Sequence, residues 1–226
     1  MSRTFSGFTE ETLSFQNFLR EENWARDAWD DISRKIWKNN VRPELNSLLS
    51  DCASTLSERT EFAFQSDIAR GWNQGGPTKF FWGAVVPQNG HRHTDIQLFV
   101  ALRSGYVRAG LFLKNTDKAK AAWDFAINSI ENNEQEATNA IEQASIRDIK
   151  PCIPMEPKSK GTPIPTKIDS KTNRWSKTFE NHKQMDILRA WKVENPILQT
   201  PEFSEEIVSV FMRLMPLYRI ISPHYI

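Results

Sequence analysis

The sequence FFWGAVV at residues 80–86 is followed by IQLFVAL at 96–102 and YVRAGLFL at 106–113. Each run is short, rich in β-branched and aromatic residues, and bounded by Gly, Pro, Asn or Ser, which is typical of β-strands. The short connections between the runs, with Ser104-Gly105 as a two-residue hairpin signal, favour antiparallel pairing over crossover connections. A weaker run at 61–70 is a candidate fourth strand.

The sequence before this sheet has the periodicity of helices. Thr9 is placed to cap a first helix, because Glu10 and Glu11 put carboxylates in the first turn, where the helix dipole favours them. A second helix is predicted around residues 24–37, and Asn39-Asn40 is a candidate turn. A third apolar stripe is formed by Leu45, Leu48, Leu49, Cys52, Ala53 and Leu56. Residues 9–58 are therefore predicted to be helical.

A long helix is predicted after the sheet. Residues 117–144 carry an apolar face at helical spacing, and Asn132-Asn133 can split the helix in two. Residues 150–171 contain five prolines with several Lys and Ser. That composition predicts either an extended wrap over the domain or a mobile loop.

Two helices are predicted to close the chain within residues 182–219. The first is placed near residues 183–191. The second starts after Thr200 and carries an apolar face, and Pro216 is expected to end or kink it, since proline lacks the N–H that a helix interior needs.

These predictions combine into one α+β domain spanning residues 1–226. We expect a single antiparallel sheet of four to five strands within residues 61–114, with an N-terminal helical layer and C-terminal helices packed on it.

The composition is that of an ordinary soluble globular protein. The chain has 226 residues, of which 39% are hydrophobic and 25% charged, and its net charge of +1 requires any nucleic-acid binding to come from a local patch. No apolar run approaches the roughly 20 residues that span a bilayer, and the N-terminus has no signal-like apolar region. The only cysteines, Cys52 and Cys152, do not form a metal-binding pair. We therefore expect a cytoplasmic protein with no membrane contact.

The opening residues resemble a known family. The phrase FSGFTEETLSF at residues 5–15 is similar to the start of a widespread bacterial group called domain of unknown function number 2461. GLF at 110–112, His182-Lys183 and the segment 200–217 resemble further parts of that family. Its charged Arg-Asp-x-Arg-Phe motif is matched in part, at Arg70, Pro77, Lys79, Gly83 and Ala84. The resemblance implies a similar architecture across nearly the whole chain and a bacterial source, and it implies no established activity.

Three cationic residues lie on or beside the predicted strands. Arg70 and Lys79 flank a glycine-rich loop at residues 71–78, and Arg108 lies in the third run. A loop with free backbone N–H groups between Arg and Lys is suited to phosphate or carboxylate. The alternative is that these charges are solvated at a strand edge or paired with nearby aspartates.

The histidines offer two further candidates. On a strand, His91 and His93 would point to one face and supply two metal ligands, but no nearby Cys or Glu completes a site, so we predict no metal and no cofactor. We also include His182 and Lys183 in the predicted anion site. His182 is also suited to acid–base work, and a surface helix start is the alternative.

The sequence favours a binding or recognition domain that holds an anionic partner, nucleic acid or a phosphate-bearing ligand, at the sheet loops. Its predicted anion-binding residues are Arg70, Lys79, Arg108, His182 and Lys183. Two alternatives remain open: an enzyme acting on a small phosphorylated or carboxylated substrate, and a subunit that binds a protein partner.

Overall fold

The protein has an α+β fold, as predicted. The computed structural model describes residues 4–18, 35–68, 72–73, 76–77, 80–103, 105–145, 150–154, 165–167 and 184–225. The α-helices within these stretches are α1 (Glu10–Phe18), α2 (Arg42–Arg59), α3 (Lys120–Asn132), α4 (Glu134–Ser145) and α5 (Phe203–Ile221).

The strands of the described residues form one main antiparallel sheet and one small ribbon. They are β1 (Phe64–Ile68), β2 (Trp72–Asn73), β3 (Gly76–Pro77), β4 (Phe80–Pro87), β5 (Gln97–Arg103), β6 (Tyr106–Lys114), β7 (Lys150–Pro154), β8 (Pro165–Lys167) and β9 (Gln184–Lys192). The main sheet has the order β1-β4-β5-β6-β9-β7-β8, and β2 pairs with β3 alone. The main sheet thus has seven strands, whereas the sequence predicted four to five.

The four strands predicted within residues 61–114 are confirmed as β1, β4, β5 and β6. β1 runs antiparallel to β4, with Phe64 opposite Pro87 and Ile68 opposite Gly83. The predicted hairpin between β5 and β6 is also present. Gly105 has a φ of 77°, the left-handed backbone that a two-residue turn requires and that glycine adopts without strain.

The predicted helix at residues 183–191 is wrong, because the described part of this segment is strand β9. Its apolar residues Ile187, Leu188 and Trp191 fit helical spacing, and Ile187 and Trp191 also fit one face of a strand. Pairing with the neighbouring strands decides between the two, since β9 joins β6 and β7 and so satisfies its backbone groups in the sheet.

The proline-rich segment also contributes to the sheet. Cys152 of β7 pairs with Lys167 of β8 and with Asp186 of β9. The mobile-loop alternative predicted for 150–171 is therefore wrong for these two strands, which are extended and paired in the sheet. Proline is tolerated at strand ends and sheet edges. The rest of that segment lies outside the described residues.

The N-terminal helices follow the prediction, with one correction. The Thr9 hydroxyl accepts a hydrogen bond from the backbone N–H of Thr12, 3.4 Å away, and caps α1. All six residues of the third apolar stripe are buried on α2. The turn predicted at Asn39-Asn40 is wrong, because Trp37–Val41 forms a π-helical segment that leads directly into α2. The helix predicted at 24–37 lies mostly outside the described residues.

For the helices after the β5–β6 hairpin, one prediction is confirmed and one is wrong. The split at Asn132-Asn133 is confirmed, because α3 ends at Asn132 and Asn133 has a non-helical backbone. Of the two alternatives predicted for Pro216, ending the last helix is wrong, because α5 continues to Ile221, and a kink stays a prediction. Four fully or nearly fully buried neighbours of the proline hold the helix together: Leu214, Met215, Leu217 and Tyr218. Their packing outweighs the hydrogen bond that Pro216 cannot make.

The described chain divides into two compact units, and the prediction of a single domain remains a prediction. The first unit comprises the described residues of Met1–Gln88, Phe99–Ala109 and Ala190–Val208. Its core contains an aromatic cluster, in which the ring of Phe203 lies 5.9 Å from that of Phe8 and 5.1 Å from that of Trp191. A second contact in this unit stacks Trp37 on Phe81 at 4.2 Å.

The second unit comprises the described residues of Asn89–Leu98, Gly110–Arg189 and Ser209–Ile226. Its core is formed by the apolar faces of α3, α4 and the second half of α5. The Tyr218 hydroxyl is buried among them and donates to the carbonyl of Ile96, 3.5 Å away. Within the described residues, none of the helices combines the length and apolar composition that crossing a membrane requires.

Candidate functional site

Of the five residues predicted to bind an anion, the structure describes one. Arg70, Lys79, His182 and Lys183 lie outside the described residues, so their grouping remains a prediction. Arg108 is in β6 and is half-buried.

Arg108 lies on the outward face of the sheet. Side chains alternate between the two faces of a strand, and the neighbours Val107 and Ala109 are both fully buried. Tyr106, two residues before Arg108, shares its face and is 39% exposed, which makes it the one exposed large hydrophobic residue in the described part of the chain. The Nε of Arg108 is buried and has no hydrogen-bond partner among the described residues. A buried, unpaired donor on a cationic group favours an anionic acceptor.

Lys192 lies next to this pair on β9. β9 neighbours β6 in the sheet, and the Val193 N–H donates to the Gly105 carbonyl at 3.2 Å, beside the β5–β6 turn. Trp191 is buried against Phe203, so the exposed Lys192 points to the opposite, outward face. We call Tyr106, Arg108 and Lys192 the outer-face cluster.

The cluster combines two kinds of contact. Arg108 and Lys192 supply positive charge, and the Tyr106 ring supplies an exposed flat surface next to them. Glu194 follows β9, is also exposed, and reduces the local charge by one. The arrangement can therefore hold a phosphate group and stack against a planar ring, with modest electrostatic attraction.

A second group of polar residues lies around Asp95 in the other unit. Its Oδ1 lies 2.7 Å from the Nε2 of His224, and its Oδ2 accepts from the His91 N–H at 2.7 Å and from the Thr94 hydroxyl at 2.8 Å. The loop is thus tied to the end of the chain by a single carboxylate. No sequence signal indicated this contact, because its two partners are 129 residues apart.

The His91–His93 pair belongs to the same loop. The rings are 5.1 Å apart, and the His93 N–H donates to the Nδ1 of His91 at 3.2 Å, so that nitrogen is engaged within the loop. Among the described residues, no group of three or more His, Cys, Asp or Glu is arranged to hold a metal ion.

The pKa of Asp95 is lowered from its ordinary value. Burial opposes ionisation, but the hydrogen bonds from His224, the His91 N–H and the Thr94 hydroxyl outweigh it. A lowered pKa means that the stabilisation is complete above the ordinary pKa of an aspartate and is lost as the pH falls through the folded-state value.

We therefore expect Asp95→Asn to lower the free energy of unfolding by about 1–2 kcal/mol at pH 7, because it weakens a charge-assisted network. The difference from the wild type should shrink below about pH 4. Urea denaturation over a range of pH measures it. Asp117→Asn, at an exposed aspartate, should stay within about 0.5 kcal/mol of the wild type. A pH-independent deficit in Asp95→Asn would contradict the role assigned to the carboxylate.

Cys52 is buried, as predicted for a residue on an apolar helical stripe. Burial, with the nearby charges of Asp51 and Glu205, raises the pKa of its thiol far above the ordinary range. The thiol is therefore inert and is not a candidate nucleophile.

Comparison with known proteins finds no match, neither among the models of protein families nor among curated proteins. The resemblance described above remains a prediction.

Proposed function

We propose that this protein is a binding domain that holds single-stranded nucleic acid on the outer-face cluster. Arg108 and Lys192 contact phosphate groups, and the Tyr106 ring stacks on a base. The observation that carries the proposal is the exposed tyrosine beside two cations on one face of β6 and β9. A sheet suits this role, because its paired strands place the three side chains on one face.

The unpaired Nε of Arg108 supports the same conclusion. A buried donor without a partner costs free energy in the unbound protein, and a phosphate oxygen would satisfy it. The participation of Arg70, Lys79, His182 and Lys183 in anion binding stays a prediction from the sequence. Alanine variants of these four test their membership in the assay described next.

The proposal is tested by fluorescence anisotropy with a labelled single-stranded oligonucleotide of about twelve nucleotides, within the usual site size of such proteins. We expect Tyr106→Ala to weaken binding about tenfold through loss of stacking, and Tyr106→Phe to preserve it. We expect Lys192→Ala to reduce the slope of log affinity against log salt by about 0.7, since one phosphate contact is lost.

The matched control is Lys118→Ala, which removes another exposed lysine, from the other unit. It should leave both the affinity and the slope near their wild-type values. The absence of a saturable signal from the wild type at low salt would refute the proposal. Equal weakening by Lys118→Ala and Lys192→Ala would also refute it, because binding would then follow net charge alone.

A further inference from the structure

A groove of about 560 Å³ lies between α4 and the second half of α5 in the second unit. Its volume is within the range of small-molecule sites. The lining comprises Asn133, Glu136, Asn139, Ala140 and Gln143 on one side and Pro216, Arg219 and Ile220 on the other.

The polar lining residues form a regular row. Asn133, Glu136, Asn139 and Gln143 recur every three or four positions, so they lie on one face and extend over about 15 Å. All four are exposed, whereas Ala140 between them is buried. The row of polar side chains therefore borders a buried apolar residue.

Two amides in this row each make one hydrogen bond with a neighbouring residue of the chain. The Asn133 NH₂ donates to the Ser129 carbonyl at 2.9 Å, which leaves its own carbonyl oxygen as an acceptor. The Asn139 carbonyl accepts from the Gln135 NH₂ at 2.9 Å, which leaves the Asn139 NH₂ as a donor. The row of amides thus offers both an acceptor and a donor.

The opposite wall adds apolar surface. Pro216 and Ile220 supply aliphatic carbon. The charges of Arg219 and Glu136 are opposite in sign, so the groove as a whole does not select a charged ligand.

We propose that this groove binds a neutral, hydroxyl-rich ligand of one or two sugar rings. Each sugar hydroxyl both donates and accepts, so neighbouring hydroxyls match a row of amides that offers both donors and acceptors. The C–H face of a ring packs on Pro216, Ala140 and Ile220.

The test is a titration followed by amide chemical shifts, with glucose, N-acetylglucosamine and their β-linked disaccharides as the probes. We expect saturable shifts in residues 133–143 and 216–220. Gln143→Ala and Asn139→Ala should each raise the Kd about tenfold, the effect of losing one good hydrogen bond. Tyr106→Ala should leave the Kd unchanged, since Tyr106 does not line the groove.

Asn132→Ala is the matched control, because Asn132 is an exposed asparagine that ends α3 and does not line the groove. It should leave the Kd unchanged. The proposal is overturned if no sugar gives a saturable shift, or if Asn132→Ala weakens binding as much as Asn139→Ala. Saturable binding of a short alanine peptide without binding of any sugar would also overturn it.

Discussion

Replacing Gly110 with alanine is expected to lower the free energy of unfolding by about 3–4 kcal/mol. A Cβ at position 110 would overlap the carbonyl oxygen of Ile187 and lie 2.6 Å from the Cα of Leu188. Both are backbone atoms of β9, the neighbouring strand. The extra carbon can be accommodated only if β6 and β9 move apart, and that movement weakens their hydrogen bonds. Urea denaturation followed by the fluorescence of the eight tryptophans measures the effect.

Gly83→Ala provides the matched comparison within another strand. A Cβ there would overlap the Cδ1 of Leu49, the far end of a flexible side chain, and its nearest backbone atom is the Cα of Ile68 at 3.2 Å. Since a side chain can rotate away, we expect a loss of only about 1–2 kcal/mol. In the Gly83→Ala background, Leu49→Ala should cost less than it does alone. Equal losses for Gly83→Ala and Gly110→Ala would show that β9 does not restrict position 110.

β9 also differs from the other strands in how well the sequence predicts it. β4, β5 and β6 could be predicted because each is a short apolar run between turn residues, and Gly105 marks the turn between two of them. β9 has no such boundaries, and its buried Ile187 and Trp191 are four residues apart, a spacing common to helices and strands. Its conformation is decided by strands far away in sequence, which periodicity does not report.

The same physical reason limits the prediction of sites. Arg108 could be selected because it interrupts an apolar run, and Tyr106 lies in the same run. Lys192 could not be predicted to lie beside them, because the pattern at residues 183–191 favours a helix. Tyr106 and Arg108 are also more than eighty residues away from Lys192 in sequence. The Asp95–His224 contact joins residues that are further apart still. Contacts of this kind follow from the topology of the fold, and the local sequence pattern does not predict them.

The N-terminal phrase that resembles a known family has a clear structural role here. Phe5 and Phe8 lie edge to face at 5.2 Å, and both rings contact Phe203 at the start of α5. The Phe8 N–H donates to the Leu198 carbonyl at 2.8 Å, which places the backbone of the intervening Gly7 directly against the segment before α5. The two phenylalanines thus anchor the chain, and the glycine permits the close approach.

Gly7→Ala is therefore expected to cost about 3–4 kcal/mol of unfolding free energy, for two reasons that add. Gly7 has a φ of 103°, a conformation that strains any residue with a side chain. A Cβ at this position would also overlap the carbonyl group of Gln199 and lie 2.7 Å from the backbone nitrogen of Thr200. Ser6→Ala, at the exposed neighbouring position, should stay within about 0.5 kcal/mol of the wild type in the same urea denaturation experiment. If Gly7→Ala were as stable as Ser6→Ala, residues 5–8 would not be packed against residues 198–200. The anchoring role of Phe5 and Phe8 would then have to be abandoned.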